Sequence, residues 1–116
     1  MNAMVILQKC GQTGKTFGIR VQQMEDGEWY ETWAFPIDEA RAGREGYTSM
    51  NIKSFLPQTA EYPGCPYCGT KGWFYDSNCK KISCYHGGTR HSCPWCGGEY
   101  DVAMTQDKLD FSGGDI

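Results

Sequence analysis

The chain has 116 residues, a formal net charge of -3, 15 glycines and 7 cysteines. That length holds one compact domain or two small modules and excludes an elaborate multi-domain enzyme, while the acidic balance argues against a sequence-independent grip on a phosphate backbone. Leu, Ile and Val number 12 against 16 aromatic residues, so the core is small, and short strands with tight turns are favoured over long amphipathic helices.

Met4 to Leu7 offers a first strand. The segment Gly11-Gln12-Thr13-Gly14-Lys15-Thr16 that follows is a near miss of a phosphate-binding loop: Lys9 stands where the first glycine is required, and a strand pattern follows where a helix N-terminus is needed. It reads as a glycine-rich turn between strands. Phe17, Ile19 and Val21 then alternate with Gly18, Arg20 and Gln22, the period of a strand. Asp26-Gly27 is a favoured hairpin turn, and Trp29 to Phe35 supplies the returning strand before Pro36 ends it. Pairing Glu25 with Glu28 would set Val21 against Thr32 and Ile19 against Ala34. Phe17, Ile19, Val21 and Tyr30 would then share one face, and Trp29, Trp33 and Phe35 the other.

Asp38 to Arg44 is the best helical candidate, kept short by Gly43 and Gly46, and Tyr47 to Leu56 reads as irregular or weakly extended. Pro57 and Pro63-Gly64 mark a boundary. Beyond it, Trp73 to Tyr75, Lys81 to Tyr85 and Glu99 to Thr105 read as strands, and Gln106 to Ile116 as a loosely held tail. The expected fold is mainly β with little helix: an N-terminal antiparallel β module over residues 1–61 packed on a rubredoxin-like zinc ribbon over 62–105, with the tail at 106–116.

Six of the seven cysteines fall between Cys65 and Cys96. No basic region followed by an apolar run and a cleavage site is present, so export is not expected and a cytoplasmic, reducing setting is. No apolar run approaches the length of a membrane span. In that setting Cys65-Pro66-Tyr67-Cys68-Gly69 and Cys93-Pro94-Trp95-Cys96-Gly97 read as metal-binding knuckles. The CxxC spacing lets two thiolates of one tight turn converge on an ion, and the glycine allows the backbone to turn back with positive φ. Cys65, Cys68, Cys93 and Cys96 are therefore the predicted ligands of one structural Zn2+, a closed set with no position left for water or substrate. Cys79 and Cys84, in the hairpin between the knuckles, read as packed thiols, as an oxidisable pair, or, with His86 and His91, as a second zinc site. Cys10, far from the others, reads as a small buried hydrophobe. Cys65-Pro66-Tyr67-Cys68 also spells a glutaredoxin-type motif, but Gly69 and Gly72 follow in place of a helix.

These features point to a non-catalytic zinc-stabilised interaction module. One alternative is a nucleic-acid-binding ribbon, since Lys71, Lys80, Lys81 and Arg90 lie near aromatic residues, although Asp76, Glu99 and Asp101 offset them. A second is a thiol redox protein using Cys79 and Cys84 or a knuckle.

The order Cys10 to Lys15, Ala34-Phe35-Pro36, Pro63 to Gly69, Cys79 to Cys84 and Cys93 to Gly97 resembles the metal-binding domain at the C-terminus of TerY-like von Willebrand A proteins, which are associated with tellurite resistance and chemical stress. Ser77 stands where that family's inner segment would carry a further cysteine. The resemblance implies a bacterial cytoplasmic module that works alongside a protein kinase and a metal-dependent protein phosphatase, as a docking or regulatory piece.

Overall fold

The computed structural model describes residues 2–38, 50–104 and 107–114. The helix expected from Asp38 to Arg44 lies, but for its first residue, outside the described residues. Among the described residues the chain is all strand, turn and loop, in the order β1 (Ala3–Lys9), β2 (Thr16–Gln23), β3 (Trp29–Pro36), β4 (Met50–Ser54), β5 (Trp73–Asp76), β6 (Lys81–Cys84), β7 (Arg90–Ser92), β8 (Glu99–Asp101) and β9 (Leu109–Gly114). No helix among them is long and apolar enough to cross a membrane.

A seven-stranded sheet runs β3-β2-β1-β6-β5, and β9 also pairs with β1 and β4. One edge of β1 carries β2 along its whole length, from Ala3↔Gln22 to Lys9↔Thr16. The other edge is shared: Val5 and Ile6 pair antiparallel with β9, and Gln8 and Lys9 pair parallel with β6. The cysteine-rich hairpin β5-β6 is thus part of the same sheet as the N-terminal strands. β7 and β8 form a separate two-stranded ribbon.

The alternation in β1 and β2 sends Met4, Ile6, Phe17, Ile19 and Val21 into the main core, where they meet Trp29, Ala34, Leu56, Ile82 and Phe111. Val5, Leu7, Phe35 and Ile37 form a smaller cluster on the opposite face. The predicted hairpin register is shifted near its turn. Met24 N–H donates to the Glu28 carbonyl (2.9 Å), leaving a three-residue loop that closes on Gly27 at φ +84°. Val21 consequently pairs with Glu31, and an irregularity beside Thr32 restores Ile19↔Ala34 as expected. The shift turns Trp29 into the main core, away from the face predicted for it.

It also buries Glu31 completely. Burial is the largest influence on this carboxyl and raises it from 4.5 to about 7, against hydrogen bonds led by Gln58, which donates at 3.2 Å. Native Glu31 therefore keeps its proton between pH 4.5 and about 7 while the unfolded chain loses it. Its contribution to stability is complete below the lower value and is lost as pH rises through the upper one. Glu31→Gln should raise the urea midpoint of metal-saturated protein at pH 8 more than at pH 5; an equal effect at both would contradict this.

The C-terminal stretch, expected as a loose tail, is an inner strand. β9 lies between β1 and β4, and Phe111 meets Trp73 and Tyr75 edge to face at 5.6 and 5.5 Å. Within the strand, exposed Asp110 and half-buried Ser112 alternate with buried Phe111 and Gly113. At Gly113 a Cβ would sit 2.6 Å from the Val5 carbonyl oxygen and run into Met4 Cε. Gly113→Ala is accordingly expected to destabilise the domain by about 2 kcal/mol, read from denaturant unfolding. Likewise, Met50 to Ser54, expected to be at most weakly extended, is held as β4 by its ladder to β9.

Candidate metal centre

Four turns of one construction surround the β5-β6 hairpin. In the first knuckle Cys65 N–H donates to Thr70 O (2.9 Å) and Gly69 N–H returns to Cys65 O (2.9 Å), with Gly69 at φ +79°. In the second, Cys93 N–H donates to Gly98 O and Gly97 N–H to Cys93 O, both at 2.8 Å, with Gly97 at φ +77°. The loop after β1 repeats the pattern: Cys10 N–H to Lys15 O (2.9 Å), Gly14 N–H to Cys10 O (2.8 Å), and Gly14 at φ +70°. So does the hairpin turn itself, where Lys80 N–H donates to Asp76 O (2.6 Å) and Lys80 takes φ +57°.

Each turn presents its first and fourth side chains together. Thr13 occupies the fourth position in the turn at Cys10, and Asp76 the first position in the turn ending at Cys79. Lys80 holds a left-handed conformation that the other three turns give to glycine, at a cost of about 1 kcal/mol. Lys80→Gly should therefore stabilise metal-loaded protein by about 1 kcal/mol, visible as a higher denaturation midpoint.

The turns pair into two clusters. Cys10, Cys65, Cys68 and Cys84 form one, and Asp76, Cys79, Cys93 and Cys96 the other; within each, the donor atoms all lie within 4.8 Å of one another. Because Thr13 brings no sulfur, the first cluster takes its fourth from Cys84 at the end of β6. The second is complete with two turns alone. The knuckle sulfurs expected to converge on a single ion are thus divided, Cys65 and Cys68 from Cys93 and Cys96. The reason is topological: β6 lies beside β1, so one knuckle meets each end of that strand, roughly 10–15 Å apart for four extended residues. Cys79 and Cys84, which an oxidisable pair or a shared second site would bring together, belong to different clusters.

Neither histidine belongs to a cluster. His86 Nε2 lies 3.2 Å from Cys68 Sγ, beside the first cluster. His91 Nε2 bonds Ser83 Oγ at 2.7 Å, and its ring stacks on Phe74 at 4.4 Å. Burial leads in lowering its pKa, which favours the neutral ring in that stack.

The aromatic residue of each CPxC motif anchors its knuckle. Tyr67 meets Phe17 edge to face at 6.3 Å. Trp95 donates its indole N–H to Ile82 O at 2.7 Å, with the ammonium groups of Lys9 and Lys81 each 4.5 Å from its ring.

Both clusters fit a cation chemically. Burial is the leading effect on most of these thiols and pushes up Cys68, Cys79, Cys84 and, to about 12, Cys93. Burial acts the same way on Cys10, but hydrogen bonds from the Thr13 hydroxyl and the amides of Thr13 and Gln12 prevail and hold it at about 7. Asp76 is also opposed by burial, yet its bonds to Cys96, Cys93 and the Asn78 amide keep its carboxyl well below the usual range. Asn78 N–H approaches Oδ1 at 2.8 Å and Cys96 Sγ approaches Oδ2 at 3.1 Å. Around the sulfurs, Tyr67 and Cys68 amides donate to Cys65 at 3.3 and 3.4 Å, and the buried Gln8 amide donates to Cys84 at 3.4 Å. Thiols packed this closely cannot ionise together without positive charge among them, and a divalent ion held by them would supply it.

Cys10 and Asp76 are the two donors that the sequence reading passed over. Both carry the knuckle spacing, Cys10-x-x-Thr13-Gly14 and Asp76-x-x-Cys79-Lys80, hidden because one of the two expected cysteines is replaced. In the inner turn, Asp76 takes the place that the first cysteine has in the two CPxC knuckles.

The family model described as TerY-C metal binding domain matches residues 1–114. Neither the curated proteins nor the solved structures yield a match to this chain.

Proposed function

The chain belongs to the TerY-C metal binding domain family, and on that footing we propose that it is a non-catalytic module in which each cluster holds one zinc ion and the folded surface docks a protein partner. The observation that carries this reading is the convergence of two complete sets of four donors. Sulfur-rich tetrahedral sets suit zinc, and a set closed by four protein donors has no position for water or substrate. Cys10, Cys65, Cys68 and Cys84 would hold one ion, and Asp76, Cys79, Cys93 and Cys96 the other. When bound, each ion cross-links turns that are distant in sequence.

The residues around the clusters orient the donors. Gln8, the Tyr67 and Cys68 amides and Thr13 aim hydrogen bonds at the sulfurs of the first set, and the Asn78 amide fixes the carboxylate of the second. With both ions bound and every ligand ionised, the net charge falls from -3 to about -6, which weighs against nucleic acid as the partner.

Native mass spectrometry tests the metal reading: two zinc ions are expected on the intact chain and none after denaturation with a chelator, and a chain that takes up no zinc would sink it. The likeness to the domain of TerY-like von Willebrand A proteins supports a bacterial cytoplasmic setting, with a protein kinase, a metal-dependent phosphatase or a von Willebrand A protein as partner. Co-purification with proteins encoded beside it is the measurement, and failure to retain any of those three would count against the docking role.

A further inference from the structure

We propose that the two centres hold their ions unequally, the second, which includes Asp76, exchanging its ion more readily than the first. This rests on the reading that both clusters bind metal. Three differences carry it: donor set, access and surroundings.

The donor sets differ. The first is four sulfurs, the second three sulfurs and a carboxylate. Thiolate is the softer and more strongly bonding partner for a borderline-soft ion, so replacing one by a hard oxygen weakens the set. Access differs as well: Cys10, Cys65 and Cys84 are buried, whereas Cys96 is exposed to solvent and to any competing chelator.

The surroundings differ in the same direction. Cys10, Cys65 and Cys84 are members of the main hydrophobic core, with Cys68 packed against it. The second set lies between a hairpin turn and the small β7-β8 ribbon, and its turn includes Lys80 in the left-handed region that the other three turns reserve for glycine. Outer contacts fix ligand position and strengthen metal sites, and here they favour the first centre. Loss of the second ion would therefore loosen residues 93–101 and the Trp95 anchor while leaving the seven-stranded sheet in place. The metal state of the second centre would then set the shape of one surface without unfolding the domain.

The test uses the intact chain loaded with two equivalents of zinc and challenged with EDTA, followed by native mass. A one-zinc species should accumulate, the first ion leaving at least about tenfold faster than the second, the equivalent of 1.4 kcal/mol. Iodoacetamide labelling of that species, mapped by peptide, should mark Cys79, Cys93 and Cys96 and spare Cys10, Cys65, Cys68 and Cys84. Asp76→Cys should narrow the gap, since it removes the donor difference and leaves the difference in access. Filling with cobalt(II) should give thiolate charge-transfer absorption in a ratio of about 4:3 for the first and second equivalents, following the sulfur count of each site. If two ions leave wild-type protein in one step, or the first-cluster cysteines label first, the inequality is overturned and the two-metal reading stands. If no zinc binds at all, both fall. The labelling arm uses wild-type protein, so a variant that does not fold leaves the decision intact.

Discussion

Removing both ions is expected to unfold this domain. Leu, Ile and Val number only 12 in 116 residues, and Cys10, Cys65 and Cys84 are part of the main hydrophobic core. Without a cation these positions become a knot of polarisable thiols whose geometry nothing enforces. Two of the turns and the end of β6 would lose the contact that holds Cys10, Cys65 and Cys84, from three separate segments, to one point. Structural zinc contributes about 10–16 kcal/mol in small metal-folded domains, as much as the entire stability of a typical domain, about 5–15 kcal/mol. Exhaustive chelation should therefore abolish the near-ultraviolet signal of the packed tryptophans and tyrosines, and zinc should restore it. A chelated protein that still unfolds cooperatively would show that the sheet is self-sufficient.

Cys10→Ala is the second large expected effect. If Cys10 were only a packed thiol, truncating one sulfur in a buried site would cost about 1–2 kcal/mol and leave the metal count unchanged. As a member of the first cluster it brings the one donor contributed by the N-terminal half of the chain. Its loss should reduce the zinc count by one and lower stability by several kcal/mol, on the scale of losing a structural ion. Ala at Thr13, the matching position of the same turn, should leave two ions bound. Native mass of the two variants separates the outcomes, and two zinc ions on Cys10→Ala protein would remove Cys10 from the site.

Much of the architecture can be read locally. The alternation of Phe17, Ile19 and Val21 and the Asp26-Gly27 turn specify the β2-β3 hairpin, because a pleated strand has a period of two and a glycine permits the left-handed step. The details of register were not legible. A three-residue loop in place of two, followed by a bulge at Thr32, moves Trp29 and Glu31 inward and then cancels, and no local pattern marks either irregularity. The stretch ending at Gly114 reads as loosely held because it carries Asp107, Asp110 and two glycines. Its order comes from lying between β1 and β4, where the lack of a Cβ at Gly113 permits the close approach to Val5 and Met4.

What the sequence by itself determined is the set of tight turns: each CPxCG segment closes on its own backbone hydrogen bonds and glycine, so its two donors converge whatever surrounds it. Cys10-Gly11-Gln12-Thr13-Gly14 and Asp76-Ser77-Asn78-Cys79-Lys80 obey the same spacing and could have been recognised by it. Which turns share a centre was decided only by the tertiary structure. Donors from different turns meet through the placement of β6 parallel to β1, a pairing between residues more than 70 positions apart. That single long-range contact carries Cys84 to Cys10 and leaves Cys79 at the far end of the strand, turning one predicted zinc ribbon into two separate sets of donors.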